Sequence, residues 1–135
     1  MNSPLPYVWL LLLAQAPIAF AGPNNCLKYE PETTAVVGKL HRETFPGRPN
    51  FESIANGDEA ETGLYLSLDT PICTVGGNDL DKVPFKSVSE VQLVLNEKQY
   101  AMLRPKLGEK VLLQGQLFSA HTGHHHADVL IRVSN

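Results

Sequence analysis

The chain has 135 residues, with 14 acidic and 11 basic side chains and a formal net charge of −3 at pH 7. A chain of this length has room for one domain with a single modest core. These values exclude a strongly basic nucleic-acid-binding protein, a coiled coil and, once residues 1–21 are set aside, a membrane-spanning protein.

Residues 1–21 contain no charged side chain and are mostly apolar. An apolar run over residues 8–16 precedes an A-x-A sequence that ends at Ala21, which is the layout of a Sec-type signal peptide. We therefore expect cleavage after Ala21 and one mature domain over 22–135, periplasmic or secreted. A retained membrane anchor is the alternative, but the run is shorter than the roughly 20 apolar residues that a spanning helix needs.

The only two cysteines are Cys26 and Cys73. Because an exported chain enters an oxidising compartment, the pair is expected to form a disulfide. The alternative is a metal-binding thiol pair, which the sequence supports poorly because it has no CxxC spacing.

The mature part alternates short apolar patterns with turn residues. Apolar residues at every second position predict strands over residues 33–45, 63–68, 88–95, 111–118 and 128–133. In the second of these strands, Leu64, Leu66 and Leu68 are expected to point inward and Tyr65 outward. Two long polar loops, 46–62 and 74–87, separate the first three strands.

A short helix is predicted between the third and fourth strands. Asn96 and Gln99 have the spacing of a helix capping box. Tyr100, Leu103 and Leu107 would then share one helical face, and Gly108 is suited to end the segment.

The element order indicates a mainly β fold, a small five-stranded OB-like Greek-key barrel with one short helix between strands 3 and 4. Gly38 in the first strand and Gly115 in the fourth occupy similar x-G-x-L sequences. Glycine allows the sharp strand bends that a small barrel needs. A small open α+β sheet with the same elements is the alternative.

The C-terminal segment from Thr122 to Val129 reads TGHHHADV, and the early sequence contains Cys-x-x-Tyr at 26–29 and V-x-G-x-L at 36–40. Together these residues resemble a family of small exported bacterial domains of unknown function that end in a T-G-H-H-H-x-D-V-type segment. A fainter resemblance is to periplasmic OB-fold proteins. The resemblance implies an exported bacterial domain and brings no known reaction.

Four of the five histidines lie within residues 121–126. Imidazole is a common ligand of transition metals and titrates near neutral pH. On a strand, His124, His126 and Asp128 would share one face, with His121 as a further ligand across the turn. The segment is therefore a candidate site for zinc or copper. The alternative is a polar hairpin whose histidines form hydrogen bonds with their neighbours.

Other chemistry has little support in the sequence. The acidic residues of the two loops, among them Asp58, Glu61 and Asp79, lack the spacing of a calcium loop and are interpreted as solvated. The chain has no G-x-S-x-G motif and no expected free thiol, so it is predicted not to be an enzyme. Nucleic-acid binding is not expected of an acidic domain with few aromatic side chains.

Two functional hypotheses follow. The first is an exported non-enzymatic binding module that takes a protein, glycan or small molecule on its strand face and loops 46–62 and 74–87. Its candidate contacts are Arg48, Phe51 and Ile54, and an inhibitor or immunity protein for an exported enzyme is one form of it. The alternative is a metal-binding or pH-sensing periplasmic protein that uses the cluster His121–His126.

Overall fold

The computed structural model of the chain describes residues 19–20 and 25–135. The predicted signal peptide therefore lies outside the described residues, cleavage position included, except for the backbone of Ala19–Phe20. Within the described part, no helix combines the length and the apolar character needed to cross a bilayer.

Eight strands and one α-helix are present among the described residues. In chain order they are β1 (Ala19–Phe20), β2 (Leu27–Lys28), β3 (Thr33–Pro46), β4 (Ala60–Ile72), β5 (Thr74–Val75), β6 (Val88–Val94), α1 (Glu97–Leu103), β7 (Lys110–Ser119) and β8 (Val129–Val133). Single 3-10 turns lie at Ile54–Asn56 and Arg104–Lys106.

The five long strands, β3, β4, β6, β7 and β8, belong to one sheet. β3 pairs antiparallel with β4 along its second half and with β7 along its first half. β4 also pairs antiparallel with β6, β6 pairs parallel with β8, and β8 pairs antiparallel with β7. The mainly β class, with one short helix between the third and fourth long strands, is therefore confirmed. The second long strand, β4, is longer than predicted, because its pairing with β3 begins at Ala60, inside the predicted loop 46–62.

Gly38 and Gly115 lie where neighbouring backbones approach closely. A Cβ atom at Gly38 would collide with the carbonyl of Ser67 on β4, and one at Gly115 with the carbonyl of Arg132 on β8. Both positions therefore exclude a side chain, which agrees with the bent strands expected from the sequence.

The core lies on the inner face of the sheet. Each long strand contributes a fully buried residue to it: Leu40, Leu66, Val91, Leu117 and Ile131. Among them, Leu66 was predicted to point inward, and its burial confirms that prediction. Burying apolar side chains of this size contributes roughly 1.5–3 kcal/mol each.

The predicted disulfide is present between Cys26 and Cys73. It holds the segment that contains β2 against β5, with which β2 pairs in parallel. Tyr29, which follows β2, is buried; its hydroxyl donates to the carbonyl of Val83 at 2.5 Å, and its oxygen lies 3.0 Å from Thr74 Oγ1.

The capping box is also present. Asn96 Oδ1 accepts from the Gln99 N–H at 2.8 Å, and Gln99 Oε1 accepts from the Asn96 N–H at 3.0 Å. Leu103 is buried as predicted, whereas Tyr100, predicted on the same face, is 38% exposed. Leu103, at the end of α1, is the only buried residue of this helix.

Candidate functional site

The outer faces of β3, β4 and β6 carry aromatic, imidazole and carboxylate side chains. We call this surface the outer face, and it comprises His41, Glu43, Phe45, Glu61, Tyr65, Glu90 and Gln92. Strand register places His41 opposite Tyr65 and Tyr65 opposite Gln92.

Tyr65 lies at the centre of the outer face. It points away from the core, as predicted, but it is only 1% exposed. The rings of Phe45 and His41 lie 5.7 and 5.9 Å from its ring and cover it. Burial, together with the charges of Glu43 and the other two carboxylates of the outer face, raises the pKa of Tyr65 to about 12.

Loop 120–128 is anchored to the outer face by Gln92. The Gln92 side chain donates to the carbonyl of His124 at 3.1 Å and accepts from the N–H of His126 at 2.6 Å. Because both ends of one amide contact the loop, the histidines are held over β4 and β6.

Glu61 binds two of these histidines. Its carboxylate oxygens lie 2.5 Å from His124 Nδ1 and 2.8 Å from His126 Nε2. The His126 ring also stacks on Phe45, with centroids 4.7 Å apart and planes 6° from parallel. The hydrogen bond from His126 is the main cause of a lowered pKa of Glu61, and partial burial opposes it.

Phe51, one of the predicted binding residues of loop 46–62, lies against the histidines of loop 120–128. Its ring meets the His124 ring edge-on, with centroids 5.3 Å apart. A Cβ at Gly123 would lie only 3.1 Å from the Phe51 ring, so this glycine allows the two loops to meet. The loop between β3 and β4, which we call loop 47–59, and loop 120–128 were separate candidates in the sequence. Through this contact they form one surface.

Asp58 fixes the shape of loop 47–59. Its carboxylate accepts from the N–H groups of Asn50, Glu52 and Ser53 at 2.8–2.9 Å. These bonds, that from Ser53 foremost, lower the pKa of Asp58. They surround Phe51, which has a φ of 58°, in the left-handed region that non-glycine residues rarely adopt. Asp58 was interpreted as a solvated loop residue, and that interpretation was wrong.

The remaining candidates of the two predicted loops lie apart from this contact. Arg48 forms an exposed ion pair with Glu59 at 3.7 Å. Ile54 is 45% exposed on a 3-10 turn. Loop 74–87 is tied to the end of β7, where Val83 donates to Ser119 Oγ at 3.0 Å.

The four histidines of loop 120–128, three of which were predicted as zinc or copper ligands, divide into two pairs. His124 and His126 contact Glu61, whereas the His121 N–H donates to Nδ1 of His125 at 3.0 Å. Asp128 is exposed and precedes β8, which begins at Val129. Residues 124–128 are thus not a strand, and the shared strand face on which the ligand set was based is not formed. Burial, followed by the proximity of His121, lowers the pKa of His125.

A different group with metal-ligand chemistry lies on the outer face. Among the described residues, one set of three or more His, Cys, Asp or Glu has ligand atoms within 4.8 Å of one another, and it is His41, Glu43 and Glu90. Sequence reasoning missed this set, and it interpreted Glu61 as a solvated loop residue rather than as the partner of His124 and His126. The only local signal was that His41 and Glu43 are two residues apart on one strand.

Comparison with known families matches residues 90–135 to the family model described as Domain of unknown function (DUF4431). The matched part includes α1, β7, β8 and loop 120–128 with its histidines. No curated protein and no solved structure matches the chain. The predicted resemblance to a family of small domains of unknown function is thereby confirmed over residues 90–135.

Proposed function

We propose that the chain is a non-enzymatic binding module whose ligand lies on the outer face between loop 47–59 and loop 120–128. The observation that carries this proposal is the contact of Phe51 with His124, because it joins the two loops beside Glu61. A shallow cavity of about 240 Å³ lies at this place, lined by Glu61, Thr62, Gly63, Tyr65, Gln92, His124 and His126.

We further propose that residues 22–135 form an OB-like Greek-key barrel. The run of strand pairings from β3 through β4, β6, β8 and β7 back to β3 supports this fold, as does the parallel pair β6–β8. OB-folds bind ligands on their second and third strands and on the loops that follow strands 1 and 4. The corresponding parts here are β4, β6, loop 47–59 and loop 120–128. Loop 74–87 is left outside the proposed site because Ser119 and Tyr29 hold its backbone.

The chemistry of the outer face favours a protein segment or a glycan as the ligand. An aromatic side chain such as that of Phe51 stacks against planar or apolar groups, and carboxylates such as Glu61 accept hydrogen bonds from N–H and O–H donors. Nucleic acid is not proposed, because its phosphates would face the negative charges of Glu43, Glu61 and Glu90.

We also propose that residues 1–21 direct export, so that the ligand is met in the periplasm or outside the cell. An exported enzyme that the module inhibits is one ligand of this kind.

Affinity capture with matched variants tests the proposal. The purified protein is immobilised and exposed to an extract of exported proteins from the source cells and, separately, to a glycan array. Phe51→Ala and Glu61→Gln should each lower the amount of bound ligand roughly tenfold, the effect of losing about 1.4 kcal/mol. Met102→Ala is the control, because Met102 is 63% exposed and lines a different cavity, beside α1.

The outcome separates the proposed ligands and can reject the site. Capture of a defined protein that depends on Phe51 supports a protein ligand, and binding confined to the array supports a glycan. Equal capture by the wild type and both outer-face variants would place the ligand elsewhere and refute the proposal.

A second candidate function, pH sensing, is favoured by the two imidazoles that share the Glu61 carboxylate. Protonation of His124 and His126 would strengthen these ion pairs and tighten loop 120–128 on the outer face. Ligand affinity should then depend on pH in the wild type and lose this dependence in a His124→Ala/His126→Ala variant. Equal pH dependence of both proteins would reject this role.

A further inference from the structure

The carboxylates of Glu43 and Glu90 both approach one atom, Nε2 of His41. His41 Nε2 lies 3.0 Å from Glu43 Oε1 and 2.9 Å from Glu90 Oε2. His41 and Glu43 project from the same face of β3, and Glu90 reaches them from β6 across β4, where it is paired with Ser67. Two strands, β3 and β6, therefore supply the group, with β4 between them, and all three side chains are partly shielded from solvent.

The second nitrogen of His41 determines what its Nε2 can do. Nδ1 lies 3.3 Å from Ser67 Oγ and 3.5 Å from the carbonyl oxygen of Lys39. In the tautomer that carries its N–H at Nδ1, the ring donates to the carbonyl of Lys39, and the Nε2 lone pair faces two carboxylate oxygens. In this tautomer the three atoms can share one cation, whereas a proton on Nε2 would instead be donated to the carboxylates. An outward N–H fixed by a carbonyl or hydroxyl is also the usual arrangement of a metal-binding histidine.

We propose that His41, Glu43 and Glu90 bind a divalent transition metal ion, with zinc as the reference ion. Ligand atoms about 2.0–2.1 Å from zinc are roughly 2.9–3.4 Å apart at angles between 90° and the tetrahedral value. The separations of His41 Nε2 from Glu90 Oε2 and from Glu43 Oε1, 2.9 and 3.0 Å, lie within this range. One imidazole and two carboxylates suit zinc and its neighbours, whereas calcium and magnesium prefer oxygen ligands throughout.

Three protein ligands leave a coordination position open for water or for a donor atom of a bound molecule. The three side chains belong to the outer face, where the His41 ring lies 5.9 Å from that of Tyr65. The metal site does not rest on the proposed ligand-binding function, because it is derived from three side chains that the capture experiment leaves unchanged.

Isothermal titration of the chelator-treated protein with zinc chloride tests the site. We expect binding of one equivalent by the wild type and a loss of affinity of roughly tenfold or more in Glu90→Gln and in His41→Ala. The Glu90→Gln change keeps the shape of a side chain that is 35% exposed, so the fold is retained. Circular dichroism of each variant checks this, and cobalt absorption spectra give a second readout of the ligand set.

The matched control is a His124→Ala/His126→Ala variant, which removes the competing imidazoles of loop 120–128 and should keep the wild-type affinity. Zinc binding that is abolished in this control, or unchanged in both Glu90→Gln and His41→Ala, would assign the ion to the histidine loop and overturn the proposal. Absence of zinc binding to the folded wild type at micromolar concentration would overturn it as well.

Discussion

Removal of the Cys26–Cys73 disulfide should lower the free energy of unfolding by about 4 kcal/mol. The bridge joins residues separated by 47 positions, and the chain-entropy relation for a loop of this length gives about 4 kcal/mol at 25 °C. The segment around β2 keeps other contacts, since Leu27 donates its N–H to the Cys73 carbonyl at 2.8 Å and Tyr29 bonds to Thr74. We therefore expect the native packing to survive and the loss to arise in the unfolded chain.

The assay is urea unfolding followed by circular dichroism, with the Cys26→Ser/Cys73→Ser variant compared with the wild type before and after reduction. Sulfate in the buffer keeps the weaker protein folded at the start of the titration. The reduced wild type and the double variant should agree, and both should show a steeper dependence on urea, because their unfolded chains expand further.

A loss of less than about 1 kcal/mol, with an unchanged slope, would refute this reasoning. It would mean that the unfolded chain is already compact around these positions, so that closing the loop removes little entropy. Zinc binding by the folded double variant should equal that of the wild type, because neither cysteine belongs to the outer face.

Three further predictions follow from the titratable groups. One tyrosine should ionise near pH 12 in a titration followed by ultraviolet absorption, and this transition should be absent in Tyr65→Phe. The imidazole of His125 should titrate below pH 6.5 in NMR spectra, and a midpoint above 6.5 would contradict the burial argument. Because the pKa of His125 is lowered in the folded state, the stability that this residue contributes is present above pH 6.5 and is lost as the pH falls through the folded pKa. Asp58 also has a lowered pKa, so its contribution to stability is present above pH 3.8 and is lost on acidification. The Asp58→Asn variant should be less stable than the wild type at pH 7, and its stability should depend less on pH below about 4. Denaturant titrations at several pH values would measure both effects.

The mainly β class and the short helix were accessible from the sequence because their signals are local. Alternation places side chains on one face of a strand whatever the strand pairs with, and the bonds between Asn96 and Gln99 span only three residues. Gly38 and Gly115 were informative for the same reason, since a missing side chain within a strand indicates a close neighbour without naming it.

The arrangement of side chains on the outer face could not be predicted from local signals, because it depends on strand register and on loops that cross strands. Nothing near Glu61 in the sequence indicates that it lies beside His124 and His126, more than sixty positions away. Glu90 reaches His41 only because β4 lies between their strands in one particular register. A shift of one residue in that register would turn these side chains to the other face of the sheet.

Asp58 shows why the contact between the two loops escaped the sequence. An acidic loop residue looks the same in the sequence whether it faces water or accepts three backbone N–H groups, as Asp58 does. The difference matters for function, because these bonds hold the unusual backbone of Phe51 and so fix its ring against His124. A ring held in place before binding loses little conformational freedom when a ligand arrives. If the outer face is the binding site, Asp58→Asn should therefore weaken capture of the ligand even though Asp58 itself is buried and away from the surface.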